Sequence, residues 1–147
     1  MLRAAARNLN SGAIHVLRGL RGVDRLSGLP PARLSALSVL VFGGPRALGE
    51  LAAAEGVAGP TMTRVVDGLV AAGLAVRRAH PRDRRAVLVE ATDAGDRLLR
   101  EAAERRLDAL VAALRDLPDG DREALLAGAA ALPALAAHLR ARPAEEP

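Results

Sequence analysis

LGELAAAEGVAGPTMTRVVDGLVAAGLAVRRAHPRDRRAVLVEATDAG, residues 48–95, is the stretch that decides the fold of this chain. Its first half has a helical period. Leu48, Leu51 and Ala52 share a face before Gly56, and Met62, Val65, Val66, Leu69 and Val70 repeat at three- and four-residue spacing before Gly73. Gly56 suits the left-handed position that closes a helix, so the segment reads as two short helices joined by a glycine-containing turn, the second being the reader in a helix-turn-helix. After Leu74 the period drops to two. AVRR (75–78) and AVLVE (86–90) read as paired strands around a charged loop, HPRDRR (80–85), which makes a basic hairpin.

Upstream, residues 2–26 place Leu2, Leu9, Val16, Leu17 and Leu20 at helical spacing and predict a long helix. Gly12, Gly19 and Gly22 each weaken it by about 1 kcal/mol relative to alanine, so it needs contacts beyond itself. Pro30 and Pro31 break the chain, and Pro31 suits the first position of a second helix that runs to about Phe42 and ends at Gly43, Gly44 and Pro45. Downstream, the Thr92 hydroxyl, with Asp93 behind it, caps a helix from about Asp93 to Asp116. Leu98, Leu99, Ala102, Leu107, Leu110, Val111 and Leu114 form its apolar stripe. LPDG (117–120) is a break, and a last helix is expected from Asp121 to Leu139, with Pro133 ending or kinking it. Residues 141–147 are expected to be a disordered tail.

With 147 residues, half of them hydrophobic, the chain fits one domain with its own core. No apolar run reaches 18 residues and no charged-then-apolar leader is present, so neither a membrane span nor a secretory signal is expected, and the protein reads as cytoplasmic and nucleoid-associated. The chain has no cysteine, which removes disulfides, thiolate metal sites and thiol redox sensing. His15, His80 and His138 are scattered, so no metal site is expected. Phe42 is the one aromatic residue, too little for recognition of single strands by stacking. No nucleophile with a base, no phosphate loop and no paired carboxylates suggest catalysis, so no catalytic residue and no cofactor are expected.

All 21 basic residues are arginine and the formal net charge is +4. An Ala-, Arg-, Gly- and Pro-rich chain without lysine is what GC-rich coding produces, so the total says little about partners and the placement says more. Between Val76 and Glu90, five arginines face two carboxylates, a local charge of +3. That concentration is the footprint of a nucleic-acid binder.

Residues 48–95 resemble the MarR (multiple antibiotic resistance regulator) family of winged helix-turn-helix proteins. LAAAEGV corresponds to the family's first helix, TMTRVVDGLVAAGLAVR to its reading helix, DRR to its wing and ATDAG to its exit. The resemblance implies a mainly α fold with a small β wing: about six helices and a two- or three-stranded antiparallel hairpin. It also implies a transcriptional regulator, in the usual case a repressor, that binds a pseudo-palindromic double-stranded DNA operator as a homodimer. Residues 1–30 and 94–140 would be dimerisation helices and 31–93 the DNA-binding lobe. The alternative is a winged-helix dimer that serves as a protein-interaction module without operator binding.

With Gly59 as cap and Pro60 as first residue, Thr61, Thr63 and Arg64 fall in or near the first turn of the reading helix, where unpaired N–H groups and the helix dipole favour phosphate. Arg64 is the best candidate for a base contact; the alternatives are a phosphate contact or an intrahelical pair with Asp67. Thr61 and Thr63 serve equally well as helix-start residues or DNA contacts. In the wing, Asp83 can hold Arg85, and the resemblance implies that Arg84 or Arg85 enters the minor groove. Arg77, Arg78 and Arg82 are phosphate neutralisers or solvated strand residues. Ala58 stands where the family usually has Ser or Thr, a missing cap that costs up to about 1 kcal/mol. Ala91 stands where leucine is usual. Family members often sense a small anionic or phenolic effector in a crevice beside the dimerisation helices; His15 and Arg18 are the candidates for such a site.

Overall fold

The computed structural model describes residues 1–79 and 87–141, and the chain divides into two compact units, Met1–Leu107 and Asp108–Pro147. The first unit opens with helix α1 (Leu2–Arg25), which buries only Leu20. Helix α2 (Pro31–Gly43) starts as its prolines dictate. Pro30 is the extended cap and Pro31 fills the first turn, where a missing N–H costs nothing. Ala36, Leu37 and Leu40 form its buried face.

A two-residue strand, β1 (Arg46–Ala47), precedes α3 (Leu48–Glu55). Ala47 caps α3 without a side-chain acceptor. Only the return half of a capping box exists, the Ala47 N–H donating to Glu50 Oε2 at 3.0 Å. Gly56, at φ 64° and ψ 33°, closes α3 in the left-handed conformation expected of it.

Helix α4 (Gly59–Ala71) begins one residue earlier than expected: Ala58 is the cap, Gly59 the first helical residue and Pro60 the second. The Ala58 carbonyl still accepts from Thr61 N–H and Met62 N–H, so the first turn closes by backbone alone. Gly73, at φ 71°, ends the helix, with Leu74 N–H donating back to the Leu69 carbonyl at 2.9 Å.

The chain then enters β2 (Ala75–Ala79), which pairs antiparallel with β3 (Val87–Ala91) from Ala75↔Ala91 to Ala79↔Val87. β1 adds to the other edge of β3 through Arg46↔Val89 and Ala47↔Leu88, so the hairpin is part of a three-stranded sheet in the order β1-β3-β2.

Helix α5 (Asp93–Arg115) starts at a tight junction. Thr92 donates its N–H to the Leu74 carbonyl at 3.0 Å and its hydroxyl to the Gly73 carbonyl at 2.7 Å, while its Oγ1 accepts from Gly95 N–H at 3.1 Å. One side chain thus caps α5 and ties it to the α4–β2 turn. Gly95 must be glycine here, because the Leu74 carbonyl and Leu37 Cδ1 occupy the space a Cβ would need. Leu37, Leu51, Met62, Val66, Leu69 and Val89 are the largest fully buried side chains, so α2, α3, α4 and the sheet share one core, which Leu99 of α5 joins.

In the second unit the expected single helix is two, α6 (Asp119–Ala129) and α7 (Leu132–Ala141), bent by 45°. The described residues therefore hold seven helices rather than about six. α6 starts two residues before the predicted Asp121, with Pro118 as its cap. Pro133 falls in the first turn of α7, where proline is tolerated, and the preceding helix has already ended at Ala129. Ala141 closes α7 instead of starting a tail, and 142–147 lie outside the described residues. No single helix among the described residues is long and apolar enough to cross a membrane; α6 and α7 pass that test only as a bent pair.

Candidate nucleic-acid interface

Helix α4 presents its sides unequally. Met62, Val66 and Leu69 bury one side in the core, and the helical repeat puts Thr61, Arg64 and Asp67 toward the opposite side, where all three are exposed. Thr61 is the third residue of the helix. Thr63 is partly buried and spends its hydroxyl proton on the Gly59 carbonyl one turn back, at 3.0 Å. Among the described residues Arg64 makes no ion pair. The pair with Asp67 that sequence spacing allows does not form, because Asp67 accepts from Arg77 Nη2 at 2.6 Å instead.

That exchange ties the reading helix to the first strand of the wing. Arg77 is therefore a brace between α4 and β2, with its guanidinium already engaged. Arg78 is held in the same way across the hairpin, its Nε donating to Glu90 Oε2 at 2.6 Å. Both pairs are solvent-exposed, worth on the order of 0–1 kcal/mol each, so they orient side chains more than they stabilise the fold. Arg82, Asp83, Arg84 and Arg85 lie outside the described residues.

A cleft of about 630 Å³ lies within the first unit, walled by Leu17, Arg21 and Arg25 of α1, Leu34 and Ser38 of α2, and Leu99 and Arg106 of α5. Asp24 and Arg106 close one side with a bidentate pair, Nε to Oδ1 at 2.5 Å and Nη2 to Oδ2 at 2.8 Å. His15 and Arg18, the residues singled out from sequence, are exposed on α1 and do not line this cleft. Arg21 and Arg25 follow Leu17 at four-residue intervals, a periodicity the sequence did contain, but the partners on α2 and α5 that make the cleft are far away in the chain.

The family model for the MarR family matches residues 27–86. An HTH-type transcriptional regulator of Mycobacterium leprae is 35% identical over 120 residues, covering 82% of this chain and 84% of that protein. The solved structure of the transcriptional regulator Tm0710 from Thermotoga maritima superposes with a TM-score of 0.77 at 28% identity, over 96% of this chain and 99% of the other. NadR, solved in complex with 4-hydroxyphenylacetate, superposes with a TM-score of 0.72 at 23% identity, over 92% of both chains, a likeness of fold.

Proposed function

The chain belongs to the MarR family of DNA-binding transcriptional regulators, which are not enzymes, and from that premise we propose that it is a repressor binding a pseudo-palindromic double-stranded operator as a homodimer. Arg64 carries this reading: an exposed arginine with no ion pair among the described residues, on the open side of a helix whose other side is locked into the core. Such a guanidinium is free to take a guanine edge in the major groove. Thr61 lies beside it for a base or phosphate contact, and Thr63 acts through the helix start. Arg78 and the wing residues Arg82, Arg84 and Arg85 meet the backbone and minor groove, with Asp83 positioning an arginine and Arg77 bracing the wing against α4.

Residues 1–30 and 94–140 are assigned to dimerisation and 31–93 to DNA binding. Leu9, Val16 and Leu17 of α1, and Leu125, Leu126, Leu132, Leu135 and Leu139 of α6 and α7, are exposed, more apolar surface than a soluble monomer usually leaves to water. The cleft beside Arg21, Arg25 and Arg106 suits a small anionic or phenolic effector that releases DNA, and NadR's complex with 4-hydroxyphenylacetate supports this.

The test is competition between a duplex selected by the protein from a randomised pool and an unrelated duplex, across a salt series. The selected duplex is expected to bind at least about 10³-fold more tightly at physiological salt. Equal affinities, both weaker than about 1 μM, would reject operator recognition and favour the protein-interaction module.

A further inference from the structure

Gly68 sits in the interior of α4 with ordinary helical geometry, so no turn requires a glycine there. Glycine is less favourable than alanine at such a position. What occupies the space is Arg33, from the first turn of α2. A Cβ on Gly68 would overlap the Arg33 Nε, Cζ and Nη2 atoms, so the guanidinium crosses directly over the backbone of the reading helix.

The position of that crossing matters. Residues 61, 64 and 68 are spaced i, i+3 and i+7, which puts Thr61, Arg64 and Gly68 along one side of α4. The Arg33 guanidinium is thus presented one turn beyond Arg64, on the α2 flank of the same open side. On the opposite flank, Asp67 holds Arg77. Arg33 is only partly buried, and among the described residues its side chain makes neither an ion pair nor a hydrogen bond, whereas Arg77, Arg78, Arg100, Arg106 and Arg122 are all paired. A guanidinium with five donors and no acceptor, lying against the Gly68 backbone, is suited to an anion.

Resting on the DNA-reading role of α4, we propose that Arg33 is a DNA-backbone contact: it clamps a phosphate on the groove wall beside the reading helix, and Gly68 leaves the room that places it. A helix lying in the major groove turns its tip and centre to base edges and its flanks to the phosphates of the walls, and such contacts set register without reading sequence. This recruits a residue from outside the helix-turn-helix into the interface.

The experiment measures affinity of the full chain for the selected duplex and for an unrelated one of about 30 base pairs, from low to high salt, for the unaltered protein, Arg33→Ala, Gly68→Ala and Arg64→Ala. Arg33→Ala is expected to weaken both duplexes by a similar factor, about 5- to 10-fold, and to flatten the slope of log K against log salt by about 0.9 per chain, with base preference unchanged. Gly68→Ala, which keeps the arginine but displaces it, is expected to do the same while melting no lower than the unaltered protein. Arg64→Ala is expected to change base preference.

Unchanged affinity and slope in Gly68→Ala overturn the proposal even if Arg33→Ala fails to fold. A relaxed base preference with an unchanged slope in Arg33→Ala also overturns it. If the unaltered protein shows no preference for its selected duplex, the operator reading fails, and the slope on the unrelated duplex still decides whether Arg33 meets phosphate.

Discussion

Leu37 and Leu126 are the same side chain in opposite circumstances: Leu37, in α2, is 0% exposed, and Leu126, in α6, is 59% exposed. The difference extends to whole regions. In the winged lobe the apolar residues of α2, α3, α4 and β3 close on one another, and the described residues bury no polar or charged side chain. In α1 and in the α6–α7 pair the leucines have helical spacing but almost nothing over them. The lobe carries the information for its own core within a single chain. The terminal helices are amphipathic elements whose leucines are exposed in the single chain, and a second copy of this chain is the partner proposed for them.

Substitutions at the two leucines test that contrast from both ends. Leu37→Ala is expected to have the largest effect, costing about 3 kcal/mol of unfolding free energy in denaturant titration, because it leaves a cavity among side chains that cannot close over it. A loss below about 1 kcal/mol would mean that the lobe is not the self-contained core described. In the terminal helices, Leu125→Ala with Leu126→Ala should raise the dimer dissociation constant at least about 30-fold, since burying one leucine is worth on the order of 2 kcal/mol. The melting temperature should then fall on dilution more steeply than in the unaltered protein. If these leucines face only water, the change stays within about 0.5 kcal/mol and does not depend on concentration.

The smallest effect concerns the start of α5. The Arg100 hydrogen bond to Asp96 holds that carboxyl below its ordinary value, outweighing an opposing cost of desolvation, and the charge of Arg100 adds to the lowering. A carboxyl with a lowered value in the folded state contributes stability at neutral pH and loses it as pH falls through that value. Asp96→Asn should therefore lower the melting temperature slightly at pH 7, and the difference from the unaltered protein should vanish in acid, below the usual Asp range of about 4. The pair is at the surface, so the effect is small. A difference that persists unchanged into acid would remove this pair from the account.

The same contrast explains what the sequence disclosed. Features written in local chemistry were legible: the Gly56 and Gly73 closures, the Pro31 start, the Thr92 cap, and the change of period after Leu74 that announces the hairpin. β1 was not legible, because two residues carry no period and their pairing with Val89 and Leu88 is a tertiary fact. The start of α4 moved by one residue because Ala58 lacks the side chain that would have marked it. The split between α6 and α7 was signalled by Pro133 but displaced, since that proline begins the second helix and the first ends four residues before it.

At the candidate interface, residue types were legible and pairings were not. Asp67 has Arg64 one turn before it in sequence and Arg77 beside it in space, and it takes Arg77. His15 and Arg18 stood out on α1, but the cleft forms at Arg21 and Arg25, where α2 and α5 supply the other walls. The contact of Arg33 with Gly68 has no trace in local pattern, because it joins residues on two helices well apart in the chain.

The central claim, that a dimer of winged lobes reads a two-fold operator, is tested most directly by a hydroxyl-radical footprint on the duplex the protein selects. Two protected patches related by a pseudo-two-fold axis, with centres about one helical turn or a multiple of it apart, are predicted. A single patch, or uniform weak protection along the duplex, would contradict it.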